Sequence, residues 1–190
     1  NQDMLWEVGA APSKGRKIRY YMTAGKIAVD CGTSFNTITT GNALSLATWQ
    51  HLVVTFGGGQ TTGPKIYVDT SLESSTGTTS GAPAAIAIDG LGIGAGADGA
   101  SPMEGYMCDV AIWDKELSSA EVTEIYGSGV RVNLKDTSVY ANLLSWWLLG
   151  GDPSDTYNGT IYDVASGRNA TPTNFDSSDD ITTESPALEG

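Results

Sequence analysis

Five aspartates, Asp89, Asp98, Asp152, Asp155 and Asp163, lie in glycine-rich, loop-like stretches. Ca²⁺ takes roughly six to eight oxygen ligands from carboxylates and loop carbonyls, which such stretches supply. The same residues suit turns unaided, because an Asp side chain hydrogen-bonds its own backbone. Calcium is the one cofactor the residues suggest, and turn formation is its rival. Hydrolysis of a glycosidic bond asks for two carboxylates about 5 to 9.5 Å apart. The glutamates, Glu7, Glu73, Glu104, Glu116, Glu121, Glu124, Glu184 and Glu189, are instead scattered. His51 is the sole histidine, so a nucleophile–base pair or a histidine-ligated zinc would have to use it. It falls within a strand-like run, where a packed or hydrogen-bonded residue is the plainer expectation. Gly57-Gly58-Gly59 lacks the strand–loop–helix setting of a phosphate cradle.

Aromatic side chains offer a different chemistry. A Trp or Tyr ring exposed as a flat platform, beside Asn, Asp or Gln, stacks on a sugar. Tyr21, Tyr67, Tyr106 and Trp147 are the candidates, and burial in a core is the competing fate of each. Cys31 and Cys108 both fall on strand-like runs; they bridge only if their Cα atoms come within about 7 Å. Two thiols left unbridged are the expectation. Asn158-Gly159-Thr160 and Asn169-Ala170-Thr171 match the glycosylation pattern, as chance allows in a Ser/Thr-rich chain.

The chain has 190 residues, with 22 acidic against 10 basic side chains, a net charge of −12 and a pI near 4.2. Nucleic acid and anionic membrane surfaces are disfavoured, since a phosphate backbone is bound by releasing counterions to Lys and Arg. Only Lys14, Arg16, Lys17 and Arg19 cluster against that trend. No apolar run approaches the roughly 20 residues that span a bilayer, so no membrane insertion is expected. The chain opens Asn1-Gln2-Asp3, without an initiator Met, as a fragment or processed product would. Abundant Gly, Ser and Thr with only 17% charged residues suit turns and pleated surfaces better than helices.

The elements that would hold these side chains are short strands. Segments 17–22, 26–31, 49–56, 65–69, 86–93, 106–113 and 142–149 read as strands, with 49–56 and 65–69 forming a hairpin. Segment 70–83, rich in Ser, Thr and Gly, reads as a loop. Ser118 followed by Glu121 is a capping box for one short helix. Val122, Ile125 and Tyr126 recur at helical spacing, and Gly127 with Gly129 ends it. The pattern predicts an all-β, two-sheet antiparallel jelly-roll sandwich with one short helix.

Trp49-Gln50-His51-Leu52-Val53-Val54-Thr55-Phe56 followed by Ile66-Tyr67-Val68-Asp69 resembles a strand pair of laminin-G-like domains, in the concanavalin A-like lectin/glucanase superfamily. Ile93-Gly94, then 105–113, then Leu117-Ser118-x-x-Glu121-Val122, resembles that family's closing segment. Ser145-Trp146-Trp147-Leu148 with Asp163-Val164-Ala165-Ser166-Gly167-Arg168-Asn169 resembles the opening of such a domain, placed here after its close. The arrangement is similar to laminin-G-like modules of bacteriophage virion proteins.

The resemblance implies a domain over 17–171, completed by a closing strand and turn at 142–171. A polar segment 1–16 would precede it and a polar tail 172–190 would follow. By family position, Asp98 and Asp109 are the implied metal ligands, although Cys108 stands where the family often carries an acid. A glucanase of this fold usually shows Glu-x-Asp-x-Glu on one strand, and this chain has none. The implied function is therefore non-enzymatic: a recognition or attachment module on a virion or an extracellular surface, binding glycan or protein through loops. The alternative is a structural component, a capsid decoration or tail-fibre domain. Its partners would be other virion subunits or further copies of the chain.

Overall fold

Runs of β-branched and aromatic residues cut by glycine and polar turns have little option but to pair as short strands. The computed structural model describes residues 2–9, 16–21, 25–31, 35–39, 41, 44–45, 47–57, 64–79, 88–95, 102–156 and 159–173. By internal contacts the chain divides into two units, Asn1–Glu104 and Gly105–Gly190.

The first unit holds two antiparallel sheets. Strands β1 (Gln2–Gly9), β2 (Arg16–Tyr21), β3 (Lys26–Cys31), β4 (Phe35–Thr39), β8 (Ser75–Thr79) and β9 (Ile88–Ile93) form one, in the order β8-β4-β3-β2-β1-β9. Strands β5 (Leu52–Thr55), β6 (Lys65–Val68) and β7 (Ser71–Leu72) form the other. Register is set where alternation is strongest: Ile18 faces Val29 across β2 and β3, and Val54 faces Ile66 across β5 and β6.

The layers meet through Ile27 and Val29 on β3 and Ile66 and Val68 on β6, with Met4, Leu44, Leu52, Val54 and Phe56 packed around them. Burying each of those four central side chains contributes about 1.5–3 kcal/mol. Buried Thr39 closes the β3–β4 end: its Oγ1 accepts from Ile27 N at 3.1 Å and donates to Gly41 O at 3.2 Å.

The second unit is built around β10 (Val110–Trp113) paired with β11 (Leu143–Trp147), and helix α1 (Ser119–Tyr126). The capping box forms as the spacing predicts: Ser118 Oγ accepts from Glu121 N, and the Glu121 carboxylate accepts from Ser118 N at 2.8 Å. With Lys115 at 2.5 Å as the main cause, and Ser118 helping, the Glu121 pKa drops to about 2. The helix buries Val122 and Ile125 and stops at Gly127, whose φ of 57° is left-handed. A side chain there would also collide with Val132. Leu117, Leu134, Val139, Trp146, Trp147 and Ile161 are further buried residues of this unit.

The architecture is the antiparallel, mostly-strand fold with one short helix that the pattern predicts. It departs in three places. Segment 70–83, expected as a loop, contributes β7 and β8. The polar opening contributes β1, which pairs with both β2 and β9. Phe35–Thr39, unassigned from sequence, forms β4 between β3 and β8. In each case main-chain pairing to a neighbour outweighs a weak local pattern.

Candidate functional site

Just before β10 the chain makes a left-handed step at Asp109, φ 52°, a conformation that a non-glycine residue adopts only when its surroundings hold it. Its carboxylate is gripped from two sides. Arg131 donates through Nε to Oδ2 and through Nη2 to Oδ1 at 3.0 Å. Trp146 donates its indole Nε1–H to Oδ1 at 3.0 Å, and Asp109 N reaches Leu148 O on the strand side. The hydrogen bond to Asp109 raises the Arg131 pKa further, against the opposing effect of burial. Gly151 packs on the guanidinium so closely that a Cβ there would lie 2.6 Å from Nη2. A bidentate Arg–carboxylate pair of this kind, its guanidinium buried and its carboxylate partly exposed, fixes geometry as well as charge.

What this anchor positions is the segment Gly105–Cys108. Tyr106 is 62% exposed, the highest value among the large hydrophobic side chains described. Cys108, by contrast, is a free thiol pushed up to about 11 by burial first and by the Asp109 charge second. It stays protonated and inert at neutral pH.

The other aspartates hold backbone. Asp163, buried, accepts through Oδ1 from Trp146 N and Ala165 N, both at 2.9 Å, and from Ser166 N at 3.2 Å. Its Oδ2 accepts from Ser166 Oγ at 2.7 Å and Arg168 N at 3.2 Å, while Asp163 N donates to Asn169 Oδ1. Burial alone would raise the Asp163 pKa; the donors led by Trp146 N and Ser166 Oγ outweigh it, and the pKa is lowered. Asp155 bridges Gly150 N at 2.9 Å and Tyr162 N at 2.8 Å, and Asp152 accepts from Ser154 N. These are the turn-forming roles that rival calcium ligation. Tyr162, clamped by Asp155, keeps 38% of its surface exposed.

Of the four aromatic candidates, Tyr106 alone is seen to present its ring to solvent. Tyr67 and Trp147 are 4% and 5% exposed and serve the core, Trp147 donating Nε1–H to Arg168 O. Tyr21 ends β2, and its side chain lies outside the described residues. Asp98 also lies outside them. Asp109 does not suit a cation as placed, because Ca²⁺ would have to displace the Arg131 guanidinium and the Trp146 indole from its oxygens. Among the described residues no three His, Cys, Asp or Glu side chains converge as a metal-ligand set. His51 precedes β5, and its backbone closes a pair with Asp69. Cys108 is a free thiol, and the side chain of Cys31 lies outside the described residues.

Arg131 lies 22 residues from Asp109, a partnership no local spacing reveals. Trp49, 42% exposed, reads from sequence as a strand residue because it opens an apolar run; the strand starts three residues later, at Leu52. A Trp outside the strictly alternating part was the available signal.

No curated protein matches the chain. A crystal structure described as a "putative carbohydrate binding protein", from Bacteroides ovatus, superposes with a TM-score of 0.60 at 21% identity. The match covers 89% of this chain and 50% of that one, so the chain spans about half its length. At that identity the likeness is one of fold. The family model Laminin_G_3, of the Concanavalin A-like lectin/glucanases superfamily, matches residues 3–123. It covers more than half of the 190 residues and extends through β1 to β10 into α1. The chain belongs to this laminin-G-like family of the concanavalin A-like superfamily.

Proposed function

We propose that the chain is a non-catalytic glycan-binding module of a larger surface or virion protein, and that Tyr106 is its principal contact. The observation that carries this reading is the 62% exposure of Tyr106 on a segment anchored by the part-buried Arg131–Asp109–Trp146 network. A pyranose ring offers a face of C–H groups, and a rigid aromatic ring gains dispersion contact with it at little entropic cost. The superfamily and the description of the Bacteroides ovatus protein support the same reading.

The roles of the acids support a binder over a hydrolase. Glu121 caps a helix, Glu124 accepts from Ser138 N and Oγ, and Asp109, Asp155 and Asp163 hold charge partners or backbone. A hydrolase needs a carboxylic acid kept protonated near neutrality, and Glu121, Glu124 and Asp163 are shifted downward.

A glycan array probed with the wild-type chain and with Tyr106→Ala tests the proposal. Signal on a defined glycan class, clearly weakened in the variant, is expected. An array that stays dark, or equal signal from both proteins, contradicts it.

A further inference from the structure

The first unit carries a second aromatic ring displayed in a comparable way. Trp49 is 42% exposed, and the loop that bears it is fastened at both ends. Leu44 N donates to Gly25 O at 3.2 Å, in the turn between β2 and β3. Ser45 N donates to Gln50 Oε1 at 2.5 Å, closing 45–50 on itself. Beyond the ring, His51 N donates to Asp69 Oδ1 at 3.0 Å and Asp69 N to His51 O at 2.7 Å. Asp69 takes φ 55° to make the tight turn from β6 into β7.

These bonds gather three pieces of chain at one end of the unit: the Gly25 turn, the 44–51 loop and the 69–70 turn. Thr48 in the loop, Thr70 in the 69–70 turn and Ser71 at the start of β7 are exposed as well. Among the described residues of these segments and their borders, Lys26 and Asp69 are the charged side chains, one of each sign within a chain of net charge −12.

We infer that Trp49 is a second glycan contact, taking neutral pyranosyl chains rather than anionic ones. The inference rests on the reading of the chain as a glycan binder, but its residues, loop and unit are distinct from those of Tyr106. An indole larger than a phenol, on a loop already ordered by four hydrogen bonds, binds without a fresh ordering cost. Exposed Thr70 and Ser71 are the polar side chains of the neighbouring turn that His51 and Asp69 tie to this loop. The low net charge of this end admits uncharged sugars, and the acidity of the whole chain repels sulfated or uronic ones.

Affinity electrophoresis separates this inference from its parent. Wild type, Trp49→Ala, Trp49→Phe, Tyr106→Ala and the double alanine variant are run through native gels cast with laminarin, xylan, galactomannan, starch or heparin. Circular dichroism confirms that each variant is folded. Expected is retardation of wild type by a neutral polysaccharide and not by heparin. Trp49→Ala should weaken it about fivefold or more, the effect of truncating an interface anchor. Trp49→Phe should restore most of it, and the double variant should lose it. Retardation of Trp49→Ala equal to wild type, or retardation by heparin alone, overturns the inference while leaving the Tyr106 site standing. No retardation of wild type in any gel overturns both.

Discussion

The two units of this chain reach order by different physical routes. The first relies on apolar layers: Ile27 and Val29 against Ile66 and Val68, a contact with no charge in it. The second relies on acids placed where backbone and guanidinium groups need acceptors, with Asp109 and Asp163 each bonded to several donors. An apolar layer tolerates a change of shape and loses stability in proportion to the surface removed. A desolvated ion pair behaves otherwise: loss of either partner strands the other charge, and replacing both together is nearly neutral. The contrast fits what each unit displays. In the second unit the left-handed Asp109, three residues after the exposed Tyr106, is held by Arg131 and Trp146, whereas the left-handed Asp69 of the first is tied to the backbone of His51.

The contrast breaks most visibly at Asp109. Asp109→Ala should cost about 3–5 kcal/mol by taking the carboxylate away from the buried Arg131 guanidinium, lowering Tm by about 10 °C or more in thermal unfolding. Asp109→Leu combined with Arg131→Met should recover most of that loss. If the double variant is as unstable as the single one, the network contributes more than charge compensation.

In the first unit, Ile66→Ala should cost about 2–5 kcal/mol by opening a cavity between the layers. Denaturant titration at pH 7 and pH 3.5 should give a similar cost at both, since no ionisable group is touched. A strong pH dependence would contradict the apolar account.

Asp163→Asn comes next, with a loss of about 2 kcal/mol at pH 7 as charge-assisted bonds weaken. The folded pKa of Asp163 lies below its ordinary value, so the ionised form contributes stability above the usual carboxylate pKa of about 3.9. That contribution is lost as pH falls through the folded value. The difference between wild type and Asp163→Asn in acid unfolding should therefore shrink below about pH 4; a constant difference would mean the carboxylate charge is not what holds the turn. The smallest effect belongs to Ser118→Ala, about 1 kcal/mol, read as faster amide exchange in α1.

How much of this was legible in the sequence follows the same division. The β5–β6 hairpin, β3 and the α1 capping box are local patterns, set by alternation or by spacings of a few residues, and they form as those patterns predict. Strands β1, β4 and β8 are not local. Ser75–Thr79 reads as Ser/Thr/Gly loop until β4 supplies a partner for its backbone. The site is harder still. Asp109 was visible as a chemically loaded residue, but its partner Arg131 and the indole of Trp146 come from other elements. The family resemblance therefore implied a cation where folding brings a guanidinium. Tyr67, Tyr106 and Trp147 have similar sequence surroundings, and only tertiary packing decides which ring is buried and which is shown.

The central claim, that an exposed ring on a rigid anchor binds glycan without turning it over, is tested most directly by calorimetry. The array-selected oligosaccharide is titrated into wild type and into Tyr106→Ala, with reducing ends measured in the cell afterwards. The account predicts saturable heat from wild type, binding weakened at least about fivefold in the variant, and no new reducing ends. Undiminished affinity in Tyr106→Ala, or reducing ends that accumulate with time, would contradict it.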